Sequence, residues 1–305
     1  MSFHVVVGAG ATGTATAELL ADSGDRVRLI TRRGTGPAQP GIERIAADAT
    51  DPDRLTELAE GAVTLFQCAA PPYHRWPAEF PPLAAALLTA AERTGAGYVM
   101  LGNLYGYGPV DGPLTEDLPL AATTVKGRVR AQLWHDALAA HQAGRVRVTE
   151  VRASTFIGPG AVSVFTLMVE PQVLAGQPAV VAADLDAAHS WTYTGDVART
   201  LVAVSQDDRT WGRPWHVPSG PAVSIRELAE RLAEAAGAPA PKLGVLTTDE
   251  LTALGEADPI MKELPEMHYL HDQPLILDSS QTEQTFGLKP TPLDEVLALR
   301  SQRVD

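Results

Sequence analysis

Phe3-His4-Val5-Val6-Val7-Gly8-Ala9-Gly10-Ala11-Thr12-Gly13 is the stretch that decides the fold. The run from Phe3 to Val7 is rich in β-branched residues and stops at Gly8, and the small and apolar residues over 11–20 suit a buried helix. The three glycines have separate tasks. The first permits a tight turn, the second lets backbone approach a bound group, and the third lets the helix pack on the strand. A helix opening at such a turn presents unpaired amides and the positive end of its dipole, which favour an anion without requiring a lysine. The order strand, glycine turn, helix predicts a dinucleotide site in which Gly8, Gly10, Ala11, Thr12 and Gly13 lie along the pyrophosphate.

Outward from this turn, Arg26–Thr31 alternates apolar and basic residues as a second strand, and further strands are predicted over 42–46, 63–66, 98–101 and 145–151. Helix-like segments separate most of them, including an Ala/Leu-rich one over 82–93 and a long one over 125–141. Alternation of this kind predicts an α/β fold, a Rossmann-type doubly wound parallel sheet. After Arg152 the rhythm loosens, with helices expected near 162–174 and 196–204 and a strand near 179–181. A strand over 215–217 then leads to a helix over 224–236, with Ser224 as N-cap and Glu227 completing a capping box. The expected organisation is a Rossmann domain over 1–160, joined by later elements from about 190–220, and a small C-terminal α/β substrate lobe over 161–305. The Pro/Gly-rich stretch 34–41 sits between strands and reads as a loop.

The second strand ends near the adenosine ribose, where in this fold an acidic residue holds the free 2′-hydroxyl of NAD. Here the residues are Thr31-Arg32-Arg33. A guanidinium pairs with phosphate through a planar fork of donors, so Arg32 and Arg33 point to the 2′-phosphate of NADP(H); otherwise they are a solvated basic loop tip. Asp48, after the third strand, is placed either to accept from the adenine amino group or to cap the helix starting near Pro52. Cys68-Ala69-Ala70-Pro71 follows the fourth strand, and the small side chains of Ala69 and Ala70 let backbone lie against the cofactor ribose. Cys68 reads as a packing residue.

A chain of 305 residues, 45% of them hydrophobic, can bury a sizeable core, and a formal charge of -13 repels nucleic acid and anionic membranes. The single cysteine excludes an intrachain disulfide and fits a reducing compartment. No export signal is visible at the N-terminus, and charge, Gly or Pro interrupts each apolar stretch before the ~20 residues of a membrane span. These features describe a soluble, cytoplasmic protein with a small-molecule substrate and neither a nucleic-acid nor a membrane partner. His268 and His271 have helical spacing but no evident third ligand, so no metal site is expected.

With the glycine turn, Asp48 and Ala69-Ala70, several further stretches occur in an ordered series. They are Leu104-Tyr105-Gly106, Gly112-Pro113-Leu114-Thr115-Glu116-Asp117, the segment 152–160, Tyr193-Thr194-Gly195-Asp196-Val197-Ala198 and Val217-Pro218-Ser219-Gly220. In that order they resemble the extended short-chain dehydrogenase/reductase superfamily of the NAD-dependent epimerase/dehydratase type. The resemblance implies a Ser or Thr after the fifth strand and a Tyr-x-x-x-Lys pair on the following helix, the tyrosine acting as acid/base. This chain departs from both, with Asn103 near the serine position, Lys126 at the tyrosine and Arg130 at the lysine. In this it looks like the atypical members of the superfamily. Many relatives pair through helices such as the one at 125–141, so the resemblance implies a homodimer.

Four apart on a helix, Lys126 and Arg130 share a face and either point together toward the nicotinamide or form a solvated basic helix start. In the first case Lys126 contacts cofactor and substrate and is a candidate proton donor. Tyr105 and Tyr107 follow the fifth strand at the carboxyl edge of the sheet, Tyr105 being either an alternative acid or a packing residue. Asn103 can donate to a substrate oxygen but cannot relay a proton as serine does. His189, Trp191 and Tyr193 alternate on one face, to floor a pocket or to pack. The leading expectation is an NADP(H)-dependent oxidoreductase acting on a small carbonyl, imine or hydroxyl metabolite. The alternatives are a non-catalytic NADP(H)-binding regulator or sensor and a nucleotide-sugar epimerase/dehydratase.

Overall fold

The computed structural model describes residues 1–301, so residues 302–305 of the expected lobe lie outside the described residues. Two compact units are present. The first collects Met1–Gly108, Pro119–Ala153 and Val197–Val217, and the second takes Pro109–Leu118, Ser154–Asp196 and the chain from Pro218 onward.

The first unit begins β1 (Phe3–Val7), α1 (Ala11–Asp22), β2 (Arg26–Thr31), β3 (Ile42–Ala46), α2 (Pro52–Ala59), β4 (Thr64–Gln67) and α3 (Trp76–Thr94). It continues with β5 (Gly97–Asn103), α4 (Val125–Gln142) and β6 (Val148–Ala153). The chain then forms β7 (Thr155–Ile157), α5 (Glu170–Leu174), β8 (Ala179–Val181) and β9 (Trp191–Tyr193), before α6 (Thr194–Ser205) and β10 (Pro214–His216) return it to the first unit. The second unit is completed by α7 (Ile225–Ala236), β11 (Leu243–Val245), α8 (Thr248–Ala257), α9 (Ser280–Phe286) and α10 (Leu293–Ser301).

Seven strands of the first unit form one parallel sheet in the order β3-β2-β1-β4-β5-β6-β10. Val5, Val6 and Val7 are at most 1% exposed because helices cover both faces, which explains a continuous apolar run where a one-sided strand would alternate. The chain reverses its direction of travel across the sheet between β1 and β4. Ligands of such folds bind outside the carboxyl ends of the strands at that switch point, and both Gly8 and Cys68 lie there, each bonded into the end of the ladder (Gly8 N to Ile30 O, 2.9 Å; Cys68 N to Val7 O, 2.9 Å).

The α3 helix starts at Trp76, earlier than the expected residue 82, and runs through Pro81 and Pro82. Prolines supply no amide to the helical ladder. Burial outweighs that loss: Trp76, Phe80, Leu83, Ala84 and Leu87 form an apolar stripe against the sheet, each large side chain contributing about 1.5–3 kcal/mol. Asp51 caps α2, accepting from the amides of Asp53 and Arg54 at 3.1 and 3.0 Å. Asp48 therefore does not cap that helix; its carboxylate accepts from the amide and hydroxyl of Thr50.

In the second unit β7 pairs with β9 and β8 with β11, both parallel. The helix expected over 162–174 is instead a π-helical turn, Phe165–Val169, running into the short α5. Pro171, the second residue of α5, has no amide with which to carry one ladder through. Ser224 caps α7 as expected, but the Glu227 carboxylate meets Arg231 at 3.4 Å instead of closing a capping box. Trp191 packs: its ring lies 5.5 Å from that of Phe165 and its indole N–H donates to Val223 O at 2.9 Å. Among the described residues no helix is long and apolar enough to cross a membrane, and no group of three or more His, Cys, Asp or Glu is placed to hold a metal ion.

Candidate active site

The glycine turn is built by two kinds of constraint. Gly8 has φ 104°, a conformation side chains rarely adopt, and a Cβ there would come within 2.6 Å of the Ala69 amide nitrogen. A Cβ on Gly13 would overlap the Gly8 carbonyl oxygen. These two glycines are demanded by the fold, which presses β1, α1 and the segment after β4 together. Gly10 is different. A Cβ added there meets nothing within 4 Å, so no protein atom requires glycine at the N-cap of α1. No side chain caps that helix and no acidic residue occupies its first turn, so the positive end of the dipole is left without a side-chain counter-charge at the exposed Gly10. That cradle fits a pyrophosphate.

Farther along the edge, Arg32 and Arg33 follow β2 and are exposed, and neither forms a hydrogen bond or ion pair with the described residues. Asp48 faces Arg32 across the loop after β3. Its carboxyl is held below the usual carboxylate range first by the Thr50 amide and hydroxyl, with a further contribution from the Arg32 charge. Ala69 and Ala70 follow β4, and Ala69 supplies the backbone against which Gly8 packs. Burial pushes the Cys68 thiol up to about 12, opposed by a bond to Thr16, so it carries no thiolate at neutral pH.

The other part of the edge is formed by the turns after β4 and β5 and the first turns of α4. Thr124 caps α4, its hydroxyl accepting from the Gly127 amide at 3.2 Å. A Cβ on Gly127 would stand 2.6 Å from the Tyr105 carbonyl oxygen, so this glycine lets α4 press onto the turn carrying Tyr105. Lys126 is thereby buried completely, with Nζ 4.7 Å over the Tyr73 ring centroid. The phenol oxygens of Tyr73 and Tyr105 are 3.4 Å apart. Asn103, the last residue of β5, orders this turn by accepting from the Tyr105 amide at 3.2 Å.

Arg130 is one turn deeper. Its guanidinium lies 4.5 Å from the ring centroids of both Trp76 and Phe80, and Nη1 donates to Leu101 O at 3.0 Å. Burial lowers its pKa to about 10, opposed chiefly by Glu150 and then by the phenols of Tyr105 and Tyr73. Lys126 and Arg130 thus meet the same aromatic cluster in different ways, one over a half-buried phenol and the other wedged between core rings. Tyr107 is drawn elsewhere. Its hydroxyl lies 2.7 Å from His216 Nε2 and accepts from Arg152 Nη1 at 2.7 Å, while Arg152 Nε donates to Glu150 at 2.6 Å. Tyr73 and Trp76 were absent from the candidates read in the sequence. The signal available was two aromatics just beyond the fourth strand, at the switch point.

A family model for NAD dependent epimerase/dehydratases matches residues 4–217. The chain belongs to that family. No curated protein matches it in sequence. Among solved structures, the Bordetella bronchiseptica enzyme WbmH in complex with NAD+ is 22% identical, with 98% of this chain and 97% of that one covered and a TM-score of 0.75. UDP-glucuronic acid 4-epimerase from Bacillus cereus in complex with NAD is 19% identical, with 99% and 98% covered and a TM-score of 0.79. DesIV, a dTDP-glucose 4,6-dehydratase from Streptomyces venezuelae with NAD and TYD bound, is 20% identical, with 99% and 97% covered and a TM-score of 0.79. At such identities the likeness is one of fold, and it runs the whole length of the family's architecture, seven-stranded parallel sheet and C-terminal lobe together.

Proposed function

We propose that this protein is an NADP(H)-dependent oxidoreductase that interconverts a carbonyl or imine and the corresponding alcohol or amine on a small metabolite. The observation that carries the reading is the cradle at the start of α1, where glycine is required at position 10 by nothing in the protein. Gly8 to Gly13 and the α1 amides would hold the pyrophosphate, Arg32 and Arg33 the 2′-phosphate, Asp48 the adenine, and the backbone of Ala69 and Ala70 the ribose. When bound, the nicotinamide supplies or removes a hydride. The residues of the chain then have to orient the substrate and move one proton. Asn103 ends β5 and Tyr105 stands in the turn just beyond it, so an amide and a phenol lie at one edge where they can hold a substrate oxygen, while the charge of the buried Lys126 stabilises the negative charge that develops there. Arg130 supports this group from the core side by fixing Trp76 beside Tyr73.

A second reading, interconversion of a nucleotide sugar with retained NAD, is favoured by the full-length likeness to nucleotide-sugar epimerases and dehydratases. Two exposed arginines after β2, where such a reading calls for an acidic partner to a ribose hydroxyl, favour NADP(H). The test is a turnover assay with protein premixed with NADPH and offered small aldehydes, ketones and imines, beside protein premixed with NAD and offered UDP- and dTDP-sugars. Loss of NADPH with a carbonyl or imine supports the proposal. A rearranged sugar with no net loss of cofactor replaces it with the second reading, and binding of NADP and NADPH with unequal affinity but no turnover would make the protein a sensor.

A further inference from the structure

The first unit holds four tyrosines, and two are committed to the interior. Tyr98 is 1% exposed and donates to Gln67 Oε1 at 2.5 Å, while Tyr107, also 1% exposed, is bound between His216 and Arg152. Tyr73 and Tyr105 are only half-buried, and they are the pair set against Lys126. We propose that Tyr73 is the catalytic acid/base of this site, with Lys126 as the fixed cation over its ring and Tyr105 as the hydroxyl beside its oxygen. This rests on the oxidoreductase reading above.

Three observations support the assignment. Tyr73 stands in the turn beyond β4, a strand that borders the switch point outside which ligands of such folds bind. Its ring is held edge-on by Trp76, with centroids 5.1 Å apart, and Trp76 is in turn fixed by Arg130. Lys126, completely buried, has no surface from which to reach a substrate, yet its charge over the Tyr73 ring stabilises negative charge spread from the phenol oxygen into that ring. Arg130 adds to the same field: the Tyr73 and Tyr105 phenols both stabilise its charged form, and the interaction is mutual.

In the reducing direction the Oη–H bond of Tyr73 breaks and an O–H bond forms on the substrate's carbonyl oxygen. The carbonyl carbon receives a hydride from the reduced nicotinamide dinucleotide, and the π electron pair of the C=O bond moves to oxygen to take the proton. Tyr73 keeps the electron pair of its broken bond as phenolate, beside the Lys126 charge, and regains a proton from water. Oxidation of an alcohol reverses each of these changes.

The first test needs no ligand: the tyrosinate absorbance of the whole protein is followed against pH. One phenol should ionise at least about one pH unit ahead of the others, a tenfold larger ionisation constant. Tyr73→Phe should abolish that early step, Lys126→Met should return it to the main transition, and Lys126→Arg, which keeps the charge, should retain it. Circular dichroism checks that each variant folds. With NADPH and a turned-over carbonyl, Tyr73→Phe should lower kcat by about 10²- to 10⁴-fold, with KM and the Kd for NADPH changed by less than about threefold. An early phenol that survives Tyr73→Phe, or a kcat that does, overturns the assignment. If NADPH does not bind the parent protein the oxidoreductase reading falls, and the absorbance titration still decides whether Tyr73 and Lys126 are coupled.

Discussion

The carboxyl edge of the sheet has two halves made in different ways. Around β1 and α1 the site is backbone: a turn, a helix terminus, and glycines whose missing side chains set the distances. Around β4, β5 and α4 it is side chains, with a buried lysine over one phenol, a second phenol beside it and an arginine wedged between two rings. The geometry of the first half is tied to local chain conformation, and under the proposed function it would grip the pyrophosphate. The second depends on packing between distant segments, and it holds Lys126 and Arg130, which the sequence sets at the tyrosine and lysine positions of the resembling superfamily.

The contrast is broken most severely within the glycine turn itself. Gly13→Ala should destabilise the unliganded protein by about 3 kcal/mol, because its Cβ overlaps the Gly8 carbonyl. Gly10→Ala should change unliganded stability by less than about 0.5 kcal/mol, since its Cβ enters open space, and should weaken NADPH binding at least about tenfold. Urea unfolding and a binding titration on both variants read the two effects separately. Equal stability of the two variants would mean that the turn is not shaped as described.

Acid acts elsewhere and supplies a control for that backbone effect. In the second unit burial holds His189 down to about 3, reinforced by His271, and holds His271 down to about 4, reinforced by His268; the two imidazoles stack with centroids 5.5 Å apart. Folded-state values below the unfolded one mean that the unfolded chain takes up protons first, so stability present at neutral pH is lost as pH falls below about 6.5. By about pH 4.5 each histidine should account for about 2–3 kcal/mol of the loss. His189→Gln should flatten the acid limb of a stability-against-pH curve measured in urea, and an unchanged limb would show that the pair is not what acid attacks.

Smaller effects sharpen the assignment along the edge. Replacing Arg32 and Arg33 together by alanine should weaken NADPH binding about tenfold or more, about 1.4 kcal/mol, and leave NADH affinity unaltered. Equal losses for both cofactors would make the two arginines a nonspecific basic patch. Smaller still, Asp51→Ala should cost about 1 kcal/mol of stability by removing the α2 cap, and Asp48→Ala less than about 0.5 kcal/mol. A larger effect at Asp48 in thermal unfolding would reverse the two roles.

These differences also explain what could be read from the chain before its structure. β1, β2 and β3 fall where the residue pattern puts them; Gly8 and Gly13 are legible because the turn leaves no room for a side chain at either, whereas Gly10 is legible only through its spacing from the other two. The early start of α3 was hidden by Pro81 and Pro82, whose local cost is outweighed by burial of a stripe no short window reveals. Tyr73 was hidden for a related reason. Its partners Lys126 and Tyr105 are far from it in sequence, and only the β4-β5 pairing and the approach of α4 permitted by Gly127 bring them together. Lys126 and Arg130 were legible as a pair sharing a helix face, but their separate surroundings are set by the rings of α3 and the turn before it.

The central claim is that the cradle at Gly10 and the two arginines after β2 bind a phosphorylated nicotinamide dinucleotide. It is tested most directly by titrating the purified protein with NADPH, NADP+, NADH and NAD+ and following tryptophan and nicotinamide fluorescence. Tighter binding of the two phosphorylated forms, by about tenfold or more, is the predicted result. Preference for NAD+ and NADH would contradict the role given to Arg32 and Arg33, and absence of binding by all four would contradict the site.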